Sequence, residues 1–314
     1  MLLYRFPGKE IVQKMGSFEK QVSFSSFGFV VSSFNGEEKY LFVEKEQQAS
    51  EITNKKIVSI NKEEYLKQGE KLVGAIRNLG IQKTVLSRIE TQDFDSEKAL
   101  DLFYLLEKQY PTAFVYCFFD GTLGTWLGAS PEILFQKFGN SGFTVALAAT
   151  KKVSDSSSWN QKESLEQAFV SDFILDRLKK IEISDIEQMG PYEHQAGPVK
   201  HLKTDFSFSI DSHSSFEIMD ALNPTPAVSG LPQDISLELI DSLEKHQREL
   251  YAGFIGLVEE NQASVYVNLR CCQLSQGKIH LYLGGGYTKD SDPQHEWEET
   301  VNKSKTIFDL VQKL

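Results

Sequence analysis

Residues 251–305 read YAGFIGLVEENQASVYVNLRCCQLSQGKIHLYLGGGYTKDSDPQHEWEETVNKSK, and the fold turns on how this stretch is parsed. Two strand-like segments, 263–274 and 278–283, are joined by a turn at 275–277. Three glycines follow, Gly284, Gly285 and Gly286, expected as a bare loop that lets a ligand approach the backbone. Asp292 and Pro293 supply an N-cap and a first-turn proline, a strong helix start. That helix carries Glu296 and Glu299 three residues apart on one face, with Lys303 a turn further on. A strand bearing Arg270, a bare loop and an acidic helix face together suggest one wall of an anion-plus-metal site.

Working outward, residues 21–43 read as two or three strands turned at Asn35 and Gly36, and 61–78 as a helix stopped by Gly80. Residues 83–88 form a short strand whose period of two puts Lys83, Val85 and Ser87 on one face. A helix is expected over 95–109 and strands over 112–119 and 143–149, with another strand entered through 128–135. An amphipathic helix spans 162–182, a strand lies near 203–210, and a helix covers 234–250. The serine-rich stretch 154–158 reads as a mobile loop beside a site. No linker or repeat divides the chain, so the expectation is a single α+β domain over 1–314, built on large, mainly antiparallel sheets flanked by helices.

The 314 residues are 40% hydrophobic and 25% charged, ordinary values for a soluble protein. A net charge of −11 argues against nucleic acid or an anionic membrane as the main partner. The three cysteines, Cys117, Cys271 and Cys272, show no disulfide or metal spacing. No apolar run approaches the roughly 20 residues that a membrane span requires. The N-terminus has no signal-peptide pattern. These readings point to the cytoplasm.

Two E-x-x-E pairs, Glu163/Glu166 and Glu296/Glu299, lie on separate helices. They are either solvated acidic faces or, if they converge, ligands to a hard cation such as magnesium. Arg270 is either a strand-edge residue or a bidentate carboxylate partner. Lys83 is either exposed or a desolvated base, and Glu132, after a Ser-Pro kink, is either a strand-entry residue or a general acid. His201 fits a satisfied core histidine at least as well as a catalyst.

Taken in order, KTVLSR, GASPEILF, ALAATKK, KESLEQAFV, VKHL, NPTPAVSGLP, RELYAGFIG, NLRC and LGGGYTKDSDPQHEWEETVNK resemble the chorismate-utilising enzyme family. Its members include isochorismate synthase, salicylate synthase, anthranilate synthase component I and aminodeoxychorismate synthase component I. The resemblance covers a family core over 81–314 and implies the anthranilate synthase component I fold. Residues 1–80 look like a shortened variable N-terminal part. The resemblance implies a Mg²⁺ site with Glu166 and Glu299 as direct ligands and Glu163 and Glu296 in support. It also implies a chorismate pocket formed by Arg270, Lys303, Tyr251, Thr150, His201 and the backbone of Gly284, Gly285 and Gly286.

Lys83 separates the subclasses. Ammonia-using members typically carry glutamine at this position, whereas water-using members carry lysine as general base; Val85-Leu86-Ser87-Arg88 sets the register in favour of Lys83 over Gln82. The segment before Thr150 also lacks the lysine nucleophile of aminodeoxychorismate synthases. The implied reaction is water attack at ring carbon C2, with Lys83 as base and Glu132 as acid to the departing C4 hydroxyl, giving isochorismate reversibly. Such a base needs a pKa well below the usual value of about 10.4. The implied use is menaquinone synthesis, with siderophore synthesis as the rival pathway, and no obligatory protein partner. Salicylate synthase and an ammonia-using synthase are the alternatives. Ala149, Gln167 and Asn223 depart from the glycine, histidine and histidine frequent in the family.

Overall fold

In the computed structural model, residues 1–46, 57–196, 199–210, 213–275 and 277–314 are described. Their strands are β1 (Leu2–Arg5), β2 (Val12–Lys14), β3 (Gly16–Gln21), β4 (Gly28–Ser32), β5 (Lys39–Glu44), β6 (Lys83–Asp93), β7 (Phe114–Asp120), β8 (Gly124–Ser130) and β9 (Ile133–Phe138). Then come β10 (Ser141–Lys152), β11 (Glu187–Ala196), β12 (Val199–Ser209), β13 (Gly230–Leu231), β14 (Phe254–Val258), β15 (Gln262–Val267), β16 (Cys271–Ser275) and β17 (Lys278–Tyr287). The helices are α1 (Lys62–Leu79), α2 (Ala99–Gln109), α3 (Gln161–Lys180), α4 (Ser215–Leu222), α5 (Gln233–Leu243) and α6 (Pro293–Val311).

One sheet runs β13-β6-β17-β16-β8-β7-β1-β2 and the other β11-β12-β10-β9-β15-β14-β4-β5-β3. Every pairing among the described residues is antiparallel. The α+β class with mainly antiparallel sheets is therefore what the chain adopts. Residues 1–46 place β1 and β2 at the end of the first sheet and β3, β4 and β5 at the end of the second.

Alternation along the strands divides the core. Phe114, Tyr116 and Phe118 of β7 face inward with Phe29, Phe135, Phe254 and Tyr266 of the second sheet. Phe114 stacks on Tyr266 at 4.9 Å between ring centroids. The intervening Val115 and Cys117 face the other way, with Leu127, Cys272 and Leu281, onto Leu102 and Leu106 of α2 and Ile307 and Phe308 of α6. Neighbouring Cys271 and Cys272 thus enter different cores. Phe173, Ile174 and Leu178 of α3 join the core between the sheets.

Helix ends follow their local signals. Asn61 caps α1, which stops at Gly80 in the left-handed conformation. Asn160 and Glu163 close a capping box on α3, and Asp292 caps α6 ahead of Pro293.

Four expectations need correction. Gly284, Gly285 and Gly286 are not a loop; they lie in β17, paired with Ser87, Leu86 and Val85 of β6. Residues 263–274 are two strands in different sheets, and Arg270 sits in the bend between them with φ +47. Buried Asn268 turns the chain there, accepting from Tyr116 Oη at 2.7 Å and donating to Leu250 O at 2.9 Å. Residues 128–135 break in the same way between β8 and β9, where Pro131 has no amide to give a ladder. Finally, α5 ends at Leu243, and 244–253 is irregular.

Strands β1, β2, β3 and β11 were not foreseen, and the helix expected over 95–109 opens with a 3-10 turn, Ser96–Lys98. Residues 154–158 form an exposed loop, with Lys151 Nζ donating to Ser157 Oγ at 3.0 Å and Ser158 O at 2.8 Å. Gln276, in the expected 275–277 turn, and the Thr150 side chain lie outside the described residues.

Candidate active site

The two places where the chain steps between sheets lie side by side. Val267 N donates to Glu132 O at 2.9 Å, and Ala129 N donates to Arg270 O at 3.1 Å. Glu132 and Arg270 are therefore held in adjacent bends by backbone bonds, the kind of rigid support a site on loops requires.

Lys83 opens β6, pinned by the pairing of Leu231 with Lys83. Its Nζ donates to Glu166 Oε1 of α3 at 2.8 Å. Gln82, the residue before the strand, is exposed. Glycine at 286 leaves the space that Lys83 crosses, because a Cβ there would lie 2.9 Å from Lys83 Cε.

Half-buried Glu132 has its carboxyl pushed up to about 7 by burial, against the pull of the Lys83 and Lys303 charges. Glu132 lines a cavity together with Ile133, Leu134, Val170, Ile174 and Leu222. A carboxyl that holds its proton near neutrality, within the field of two lysines, suits a general acid.

The four glutamates are not equivalent. Glu166 is engaged by Lys83, and Glu299 pairs with Lys303 at 2.6 Å. Lys303 Nζ also donates to Gly284 O at 2.8 Å, tying α6 to β17. The Glu296 carboxyl is raised by burial; the Ser291 hydroxyl opposes this, the Glu299 charge adds to it, and Lys303 and Lys83 pull against it. Glu163 faces a different set of partners, accepting from Asn160 N at 2.7 Å and pairing with Lys151 at 3.1 Å. The sequence reading missed Lys151, whose side chain is 8% exposed. A cation closing an otherwise apolar strand was the available signal.

Among the described residues, no group of three or more His, Cys, Asp or Glu side chains is gathered closely enough to hold a metal. The donor chemistry nevertheless fits a hard divalent cation. Glu166 and Glu296 both address Lys83, and Glu296 stands against Glu299 with its negative charge opposed by burial.

Tyr251 is buried, stacked on Tyr282 at 5.7 Å, and its hydroxyl occupies space that glycine at 284 leaves open. Burial pushes its phenol up, and the Glu132 charge adds to the effect. His201 of β12 lies opposite Thr150 and His194 in the sheet. Its imidazole is held down by burial, opposed by the Ala149 backbone and reinforced by the His194 and Arg270 charges.

A sequence profile of chorismate binding enzymes matches residues 30–312. The chain belongs to the chorismate binding enzyme family. It is 31% identical over 207 residues to the isochorismate synthase MenF of Escherichia coli K12, covering 63% of this chain and 48% of that protein. Identity to the isochorismate synthase EntC of the same organism is 29% over 245 residues, covering 73% and 62% respectively. The anthranilate synthase component 1 of Lactococcus lactis is 28% identical over 301 residues, covering 89% and 64%. This chorismate binding enzyme thus spans between about half and two thirds of these relatives' lengths.

Among solved structures, the menaquinone-specific isochorismate synthase MenF of Escherichia coli superposes with a TM-score of 0.83 at 20% identity, covering 99% of this chain and 88% of that one. A putative 2,3-dihydroxybenzoate-specific isochorismate synthase, DhbC of Bacillus anthracis, superposes with a TM-score of 0.81 at 20% identity, covering 99% and 95%. Both likenesses concern the fold.

In this family member, Lys83, Glu132, Glu166, Glu296, Glu299 and Lys303 form one interacting group. The Arg270 charge acts on His201, while Glu163 is committed to a helix start.

Proposed function

We propose that this protein is an isochorismate synthase, adding water at C2 of chorismate and releasing the C4 hydroxyl. The observation that carries this reading is the combination of Lys83 with a protonatable Glu132 in one desolvated group. Water takes the place of ammonia in this reading because the side chain that reaches Glu166 is Lys83, while Gln82 is exposed.

Chorismate is a dicarboxylate, and Arg270 and Lys303 supply its cations. In the ion pair, Lys83 Nζ is a donor; the base is its neutral amine form, freed from Glu166 with one proton already released to solvent, and that amine takes a proton from the attacking water. The C2–O bond forms, the ring double bonds shift, and the C4–O bond breaks as Glu132 passes its proton to the leaving hydroxyl. Reversal uses the same two groups in exchanged roles.

Glu166, Glu296 and Glu299 would hold Mg²⁺, with Glu163 in support, and the ion would neutralise a substrate carboxylate. A water nucleophile needs no glutaminase partner, so the enzyme acts alone on a free small molecule. No helix among the described residues is long and apolar enough to cross a membrane. We place the activity in the cytoplasm, supplying isochorismate for menaquinone synthesis.

The test is incubation of purified protein with chorismate, with and without Mg²⁺, and chromatographic resolution of the products. Magnesium-dependent isochorismate approaching an equilibrium mixture is expected. Salicylate with pyruvate would reassign the protein to salicylate synthases, and an aminated product formed only with ammonia would overturn the role of Lys83.

A further inference from the structure

Strand β6 has a short neighbour. On the side away from β17 it pairs with the two residues of β13, and the last backbone bond there runs from Val85 N to Ser229 O at 2.9 Å. Beyond that point Val85 O and Ser87 N face no strand, and a buried backbone group left without a partner is costly. Both are satisfied by side chains from the irregular segment after α5. Arg248 NH2 donates to Val85 O at 2.9 Å, and Glu244 Oε1 accepts from Ser87 N at 2.6 Å.

These two side chains also bind each other, with Arg248 NH2 to Glu244 Oε1 at 2.6 Å and Arg248 Nε to Glu244 Oε2 at 2.9 Å. Each is only 3% exposed. Arg248 NH1 extends the bracket to Val228 O at 2.7 Å, and Ser87 Oγ meets His246 Nε2 at 2.9 Å. The ion pair thus presents one donor and one acceptor to residues i and i+2 of β6, as a neighbouring antiparallel strand would.

We infer that Glu244 and Arg248 are positioning residues, a side-chain strand that sets the working geometry of Lys83 and Tyr251. Lys83 lies two residues before Val85 on the same face of β6. Tyr251 follows Arg248 by three residues, with Tyr251 N donating to Arg248 O at 2.9 Å. One buried pair therefore indexes the strand that carries the lysine against the segment that carries the tyrosine, without itself taking part in the reaction. The kinetic part rests on the isochorismate synthase reading; the structural part does not.

The test compares wild type with Glu244→Gln, Arg248→Lys and Glu244→Asp, each assayed well below its own melting temperature. Two readouts are taken: hydrogen exchange over residues 83–89, and kcat and KM for chorismate. In Glu244→Gln the strand loses protection and kcat falls on the order of 10²-fold, as expected for a small misplacement of a reacting group, while KM stays within about threefold. Glu244→Asp, which keeps the charge, recovers part of both. Wild-type kcat in folded Glu244→Gln, or loss confined to KM, overturns the positioning role. Unchanged exchange over 83–89 overturns the strand mimicry whether or not chorismate is turned over. Failure of the wild type to make isochorismate would instead remove the proposed reaction, and the exchange data would still judge the bracket.

Discussion

Lys83 Nζ and Glu166 Oε1 meet at 2.8 Å, joining the first residue of β6 to the second turn of α3 across 83 residues of sequence. The side chains are 20% and 33% exposed, so this pair contributes little to stability, about 0–1 kcal/mol. Its importance lies in what it aligns. Lys83→Ala should leave the melting temperature nearly unchanged and lower isochorismate formation by roughly 10²–10⁴-fold, the usual worth of a general base. Calorimetry and a chorismate assay on the same preparation separate the two effects.

With Glu132 as the proposed acid, activity should depend on pH. The folded pKa of Glu132, about 7, lies above its ordinary value of 4.5, so the folded state binds the proton more tightly than the unfolded chain. Stability therefore falls as pH rises from 4.5 to 7 and levels off above, a penalty of up to about 3 kcal/mol from this residue. Glu132→Gln should be more stable than wild type at pH 8.5, nearly equal to it at pH 4.5, and inactive at both. In wild type, the rate in the chorismate direction should decline as pH passes through about 7 and the acid is lost. Parallel melting curves and a pH–rate profile measure both.

The glycines of β17 make room for working side chains. A Cβ at 284 would lie 2.7 Å from Tyr251 Oη and 3.2 Å from a Val85 methyl, in a packed interior. Gly284→Ala should cost about 1–3 kcal/mol in urea unfolding through overpacking. At 286 the obstructed atom is Lys83 Cε, the far end of a flexible side chain. Gly286→Ala should keep most of its stability and lose kcat.

If Glu166, Glu296 and Glu299 hold Mg²⁺, saturating Mg²⁺ should raise the melting temperature, by about 2.7 kcal/mol of stabilisation at 100 times the dissociation constant. Glu166→Gln and Glu299→Gln should each lose that shift in differential scanning fluorimetry. Glu163→Gln should weaken it less, because Glu163 is engaged by Asn160 and Lys151.

Gln167 stands in the core, 1% exposed, accepting from Ala148 N at 2.9 Å and donating to Ala146 O at 3.1 Å and Thr204 Oγ1 at 2.9 Å. Its amide ties α3 to β10 one residue from Glu166. Gln167→Ala strands a buried amide and opens a cavity, and should lower the urea midpoint by about 2–4 kcal/mol of stability. The other departures are quieter: Asn223 donates to Phe34 O at 3.2 Å, and Ala149 takes φ +53 at the β10 bulge, where glycine would be relaxed.

The linear chain determined whatever depends on near neighbours. Asn61, Asn160 and Asp292 announce their helices because a cap acts within three residues. Lys83 opens β6, and Gln82, just before the strand, is exposed. Ordered motifs carried the family. Local pattern could not reveal that 263–274 crosses from one sheet to the other, because the partners that split it, β9 and β8, are more than a hundred residues away. The same distance hid the role of the three glycines, which resemble a loop until β6 is laid beside them. Which glutamates converge was likewise a tertiary decision. Glu163 and Glu166 share a spacing with Glu296 and Glu299, yet Glu163 is claimed by its own helix start and Lys151, whereas Glu166 is claimed by Lys83. Period and capping are set within a turn or two of chain; burial and charge pairing depend on what the fold brings alongside.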